Sequence, residues 1–218
     1  HFQRLGAAPL IVPAMGSHGR GESQGQVDVL KHLGITATTV GAPIFSEMRM
    51  SQIGTVHGNC PVYVDQAAVD ADHILLVNRI KDHTEYIGTT ESGLLKLAVV
   101  GLGRQKGAEN MHQLAVNITY QEAIHSISQL LFEELNVLGG VAILEDQTNR
   151  LRRIEAVAVD DILKREPALL DEARNYKPKL PVDDLDVLLV DEIGKEISGA
   201  GLDTKVIGRI MNVYEKEC

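Results

Sequence analysis

The sequence predicts an α/β protein: a mixed, largely parallel sheet flanked by helices, with the start of a second α/β unit near its end. Three observations carry this. Short apolar runs of strand type alternate with helical patterns through residues 9–177. A glycine-bearing turn, Gly16-Ser-His-Gly-Arg-Gly21, separates a strand-like run from a helical one. A polar turn at residues 145–153 joins two strand-like runs into a hairpin, which makes the sheet mixed.

Taken in order, Pro9-Leu-Ile-Val-Pro13 reads as a short buried strand that ends at its second proline. Residues 22–33 read as a helix, with Val27, Leu30 and Leu33 spaced by threes and Gly34 as its stop. Residues 35–40, Ile-Thr-Ala-Thr-Thr-Val, are β-branched and predict a strand, closing a βαβ unit. Residues 41–58 read as irregular. Residues 61–65 and 73–77 predict strands, residues 105–115 a helix, and residues 120–135 a helix through Ala123, Ile124, Ile127, Leu130, Leu131 and Leu135. Strands follow at 140–144 and 154–159, then a helix at 160–176 that is acidic at its start, which suits the helix dipole. Two prolines and a charge cluster at residues 177–184 break the periodicity and divide a domain of residues 1–177 from a unit at 184–218. That unit begins with a strand at 185–190 and a glycine loop at 194–201, and a helix is expected at 204–214.

Composition limits the function classes. The 218 residues suffice for a sizeable core. A net charge of −9 argues against a general nucleic-acid or anionic-membrane surface. No apolar run approaches the roughly 20 residues of a membrane helix. Two cysteines, Cys60 and Cys218, make no disulfide framework and suit a reducing cytoplasm. The chain opens at His1 with no leader pattern, which reads as a piece of a longer protein.

The chemistry concentrates between Asn78 and His112. Two histidines, His83 and His112, and five glycines surround Lys96, which stands among Leu94, Leu95, Leu97 and Ala98. A buried lysine charge is costly, so Lys96 is expected to reach water, meet an anion or be chemically committed. The earlier loop offers His18 for proton transfer or metal binding and Arg20 for a carboxylate or phosphate, at a helix start that favours anions. It is not a Walker loop, because no Gly-Lys-Ser/Thr follows. His57 lies near Cys60, but the spacing matches no metal motif. The loop at 194–201, with Lys195, Ser198 and nearby Asp203, is a second candidate ligand loop.

The run from Val62 through Asp72, then His83, Lys96 and His112, resembles the nickel-dependent lactate racemase family of 2-hydroxyacid racemases and epimerases. Gly16-Ser-His18 resembles that family's G-[TS]-H loop, and Ile53-Gly-Thr55 its L-G-T-T run. The resemblance implies that Lys96 carries a nickel-pincer nucleotide through a thioamide. It also implies that His112, 16 residues on, ligates the nickel and that His83 is an acid/base histidine. The nucleotide's phosphate and carboxylates need N–H groups and cations, with Gly93 and Arg20 as candidates. The implied partners are a small hydroxyacid substrate and the enzymes that make the cofactor, with no nucleic acid and no membrane. A homo-oligomer is compatible with this reading.

The family's second acid/base histidine is expected about ten residues ahead of Gly54, where residues 42–51 contain none. Lys96 also lacks the family's glycine-arginine-lysine-proline-glycine surroundings. The resemblance therefore implies a divergent member, using His83 with another base, Glu47 or His18. Two alternatives stand beside it. One is a non-catalytic protein that binds a small carboxylate or nucleotide on the same scaffold. The other is a hydrolase or lyase using His18 with a divalent metal.

Overall fold

Helical spacing of Ala123, Ile124, Ile127 and Leu131 places one apolar stripe on the helix Tyr120–Glu134, and all four residues are buried. Its start is fixed by a capping box: Thr119 accepts from the Glu122 N–H, and the Glu122 carboxylate accepts from the Thr119 N–H. Around this helix the computed structural model describes residues 2–84, 86–194, 197 and 201–207.

The elements are α1 (Ser23–His32), α2 (Ala37–Val40), β1 (Met50–Val56), β2 (Cys60–Asp65), α3 (Gln66–Val69), β3 (Ile74–Arg79), α4 (Leu94–Lys96), α5 (Arg104–Asn117), α6 (Tyr120–Glu134), β4 (Val137–Glu145), β5 (Leu151–Ala158) and α7 (Val159–Arg174). A π-helical turn, Leu97–Gly101, joins α4 towards α5. The fold is mixed α/β. One sheet has the order β3-β4-β5, with β3 and β4 parallel and β4 and β5 an antiparallel hairpin. A second sheet is the antiparallel hairpin β1-β2.

The core lies between one face of the three-stranded sheet and the helices. Leu76 of β3 and Ala142 and Leu144 of β4 meet Leu94, Leu95, Ala98, Ile124, Ile162 and Leu169 there. Successive strand residues face opposite ways, so Leu75, Val77 and Ile154 are left exposed on the other face. No helix among the described residues is long and apolar enough to cross a membrane.

Several expected elements take a different form. Residues 35–40 do not make a strand. The Thr36 hydroxyl accepts from the Thr39 N–H, the Thr39 hydroxyl accepts from the Thr36 N–H, and Gly41 ends the turn at φ 69°, giving the short helix α2. The run Pro9 to Pro13 reduces to a single parallel bridge, Ile11 to Ile44, since neither proline has an N–H to extend a ladder. The βαβ unit is therefore absent. Residues 50–56, expected to be irregular, form β1. A bulge between Gln52 and Gly54 interrupts its register, and a Cβ on Gly54 would stand 3.0 Å from Leu130 of α6. The strand at 185–190 does not form, and Leu185, Val187, Leu188, Leu189 and Val190 are exposed, with no sheet edge beside them among the described residues. Of the helix expected at 204–214, residues 204–207 form a turn and the rest lie outside the described residues.

Candidate functional site

Strand β3 runs into a loop at residues 81–92, closed at its base by Lys81 and Ser92, which exchange both backbone hydrogen bonds at 2.9 and 3.1 Å. The Glu91 carboxylate, buried inside this loop, organises it. It accepts the backbone N–H of His83 and of Gly88, the latter at 3.0 Å. It also accepts Arg174 at 2.7 Å and Lys205 at 2.8 Å. A buried carboxylate needs such compensation, and four donors supply it. The Tyr86 hydroxyl donates to the Glu91 carbonyl at 2.7 Å.

This loop presents His83 to a column of rings. The His83 and Tyr86 rings lie 4.5 Å apart, tilted by 30°. Tyr86 stacks on Tyr120 at 4.9 Å and 12°. His112 meets Tyr120 edge-on at 5.4 Å, and its Nδ1 hydrogen-bonds the Tyr120 hydroxyl at 2.7 Å. A hydroxyl accepting from Nδ1–H would put the imidazole lone pair on Nε2, where a metal or a proton could bind. The Lys96 ammonium stands 5.5 Å from the centre of the Tyr86 ring.

Lys96 arrives by a different route from the one its neighbours suggest. It lies on a helical run whose buried residues are Leu94, Leu95, Ala98 and Val99, while Lys96 itself is half-buried at the rim. The run is capped from α7: the buried Glu166 carboxyl accepts the N–H of Leu94 at 2.8 Å and of Leu95 at 3.0 Å. Burial pushes the Glu166 carboxyl up to about 7, against the lowering effect of those two N–H groups. Gly93, the candidate for backbone approach to a cofactor, is also closely packed. Its Cα faces Glu166 and Ile80, where a Cβ would come within 2.5 and 2.8 Å.

His83 is driven to about 3, first by burial and then by the charges of Lys96, Lys205, Lys81 and His112. It is neutral throughout the physiological range.

Of the residues singled out in the sequence, the structure brings His83, Lys96 and His112 together around the two tyrosines. His18 and Arg20 sit on a separate loop, both exposed. That loop lies against the end of the π-helical turn, where the Gly16 N–H meets the Gly101 carbonyl at 3.4 Å. The side chain of Gln26 donates to the carbonyls of Gly16 and His18 at 3.0 and 3.2 Å. Gln26 in turn accepts from Arg104, a buried arginine paired with buried Asp65 at 2.6 Å and donating to the Pro13 carbonyl at 2.6 Å. Glu47 is exposed and paired with Arg49 at 2.8 Å. His57 (φ 47°) forms the β1-β2 turn. In the loop at 194–201, Lys195 and Ser198 lie outside the described residues, whereas Asp203 binds Lys177 at 3.1 Å.

Tyr86, Tyr120, Glu91 and Lys205 were not marked in the sequence. Only the tyrosines left a signal: with aromatics at 4% of the chain, one tyrosine three residues after His83 and another eight after His112 stand out. A surface hollow between β5 and α7, lined by Glu155, Asp161, Lys164 and Arg165 among others, shares no residue with the ring column. Compared with family models and with curated proteins, the chain matches none.

Proposed function

We propose that the ring column is the active site of a 2-hydroxyacid racemase or epimerase that works with a nickel-pincer nucleotide tethered to Lys96. The observation that carries this reading is the meeting of Lys96, His112 and His83, three residues separate in sequence, at one stacked tyrosine pair.

The residues fit such a group. No cluster of three or more His, Cys, Asp or Glu able to hold a metal ion exists among the described residues. A metal carried inside an organic group on Lys96 needs far less from the protein: one imidazole, which His112 would give. When bound, the group would supply the acceptor for the α-hydrogen, leaving as hydride, and return it to the opposite face.

The chain's own part is proton handling and placement. Inverting a carbinol carbon this way requires the hydroxyl proton to leave as the hydride does. His83, neutral and fixed by its backbone bond to Glu91, would take it. Tyr86 and Tyr120 would wall one side and exclude water. A half-buried Lys96, acylated by the cofactor, would carry no charge to desolvate. His18 or Glu47, both exposed, would serve as the second base.

The test is co-expression with the enzymes that make the cofactor. Peptide mass analysis should then find the added mass on Lys96, with nickel co-purifying. A Lys96→Ala chain should bind neither.

A further inference from the structure

We propose that Lys205 is a positioning residue for His83, tying the loop that carries it into place from more than a hundred residues away. This rests on the reading of His83 as the base, but the attachment itself stands on geometry.

The Lys205 side chain is 15% exposed, and its ammonium makes two contacts to the loop: the Tyr86 carbonyl at 2.6 Å and the Glu91 carboxylate at 2.8 Å. One cation therefore grips both the residue that stacks on His83 and the carboxylate that accepts the His83 N–H. Its neighbours repeat the pattern. The Thr204 hydroxyl, buried, donates to the Thr84 carbonyl at 2.7 Å. Asp203 accepts the Lys205 N–H at 3.0 Å and Lys177 at 3.1 Å, and Lys177 also binds Asp82 at 2.6 Å.

The strap thus holds Asp82, Thr84 and Tyr86, alternate residues of the loop, while the intervening His83 turns its ring to the tyrosines. Among the described residues, the carboxylates Asp82, Glu91 and Asp203 pair with Arg174, Lys177 and Lys205 across the joint. Arg174 shares Glu91 with Lys205 but reaches the Gly88 carbonyl instead of Tyr86, so it anchors the far end of the loop.

Lys205 also acts on His83 electrostatically. It is one of the cations, with Lys96, Lys81 and His112, that weaken proton binding at the imidazole. Removing it subtracts a repulsive charge and leaves Glu91 less neutralised. Both changes favour the imidazolium.

The experiment follows the His83 ring by NMR titration in the full chain, without cofactor or substrate. Lys205→Met, which keeps the length and loses the charge, should raise the His83 pKa. Lys205→Arg should restore it. Lys179→Met, an exposed control, should leave it unchanged. If the Lys205→Met chain does not fold, Thr204→Val removes the grip on Thr84 without stranding a charge, and should broaden and shift the His83 resonances. Wild-type resonances and titration in both Lys205→Met and Thr204→Val, or in Thr204→Val alone where Lys205→Met does not fold, would overturn the proposal. The Lys96 mass measurement is independent of this titration, so either can fail while the other succeeds.

Discussion

Glu166 of α7 accepts the backbone N–H of Leu94 at 2.8 Å, so a carboxyl 72 residues away begins the helix that carries Lys96. Its other oxygen, Oε1, is buried and has no hydrogen-bond partner among the described residues. A carboxyl so placed favours its neutral form.

That arrangement predicts a pH dependence of stability. In the folded chain Glu166 titrates at about 7, against 4.5 as an ordinary glutamate. Between those values the folded state holds a proton that the unfolded state releases. Stability from this group is therefore present below about pH 4.5 and lost as pH rises through about 7, by about 3 kcal/mol. Urea unfolding of wild type and Glu166→Gln across this window should show this loss of stability with rising pH in the wild type alone. A parallel pH course in both would remove Glu166 as its source.

His83 has the opposite sign. Its folded pKa lies near 3, below the usual 6.5, so the unfolded state binds the proton first as pH falls. Its contribution to stability is present above about 6.5 and lost as pH drops towards 3. In the chain without cofactor, the His83 ring should therefore stay neutral between pH 5 and 7. His83→Asn should lower turnover by about a hundredfold to ten-thousandfold. An unchanged rate in His83→Asn would exclude it as the base.

The buried pair Asp65–Arg104 should be sensitive to the loss of either member. Arg104 has 1% of its surface exposed and touches Asp65, Pro13 and Gln26, joining β2 to the loop of His18. Arg104→Ala strands the Asp65 carboxylate and should cost about 3–5 kcal/mol in urea unfolding. Replacing both with apolar residues of similar volume should cost less. Equal losses in the single and double variants would mean the pair contributes through packing alone.

Much of the fold was legible because it is local. The Thr119 cap and the spacing of Ile124, Ile127 and Leu131 define α6 within sixteen residues. The apolar run ahead of Asn78 defines β3. What escaped depends on distant partners. β1 contains Gly54, a poor strand residue, and the reason for it is Leu130, on a helix far along the chain. Ile35 to Val40 is β-branched, but two threonine side chains capture the backbone first. In the site, His83, Lys96 and His112 were visible as residue types, whereas Glu91, Glu166 and Lys205 act through contacts with residues up to 119 positions away. No period or motif records such contacts.

Under the proposed function, Lys96 would bear the cofactor. Intact and peptide mass of the chain co-expressed with the cofactor-making enzymes measures it directly. The account predicts a mass increase confined to the Lys96 peptide, with nickel present in the purified protein and lost in Lys96→Ala. An unmodified Lys96 in chains made alongside a demonstrably active cofactor pathway would contradict it.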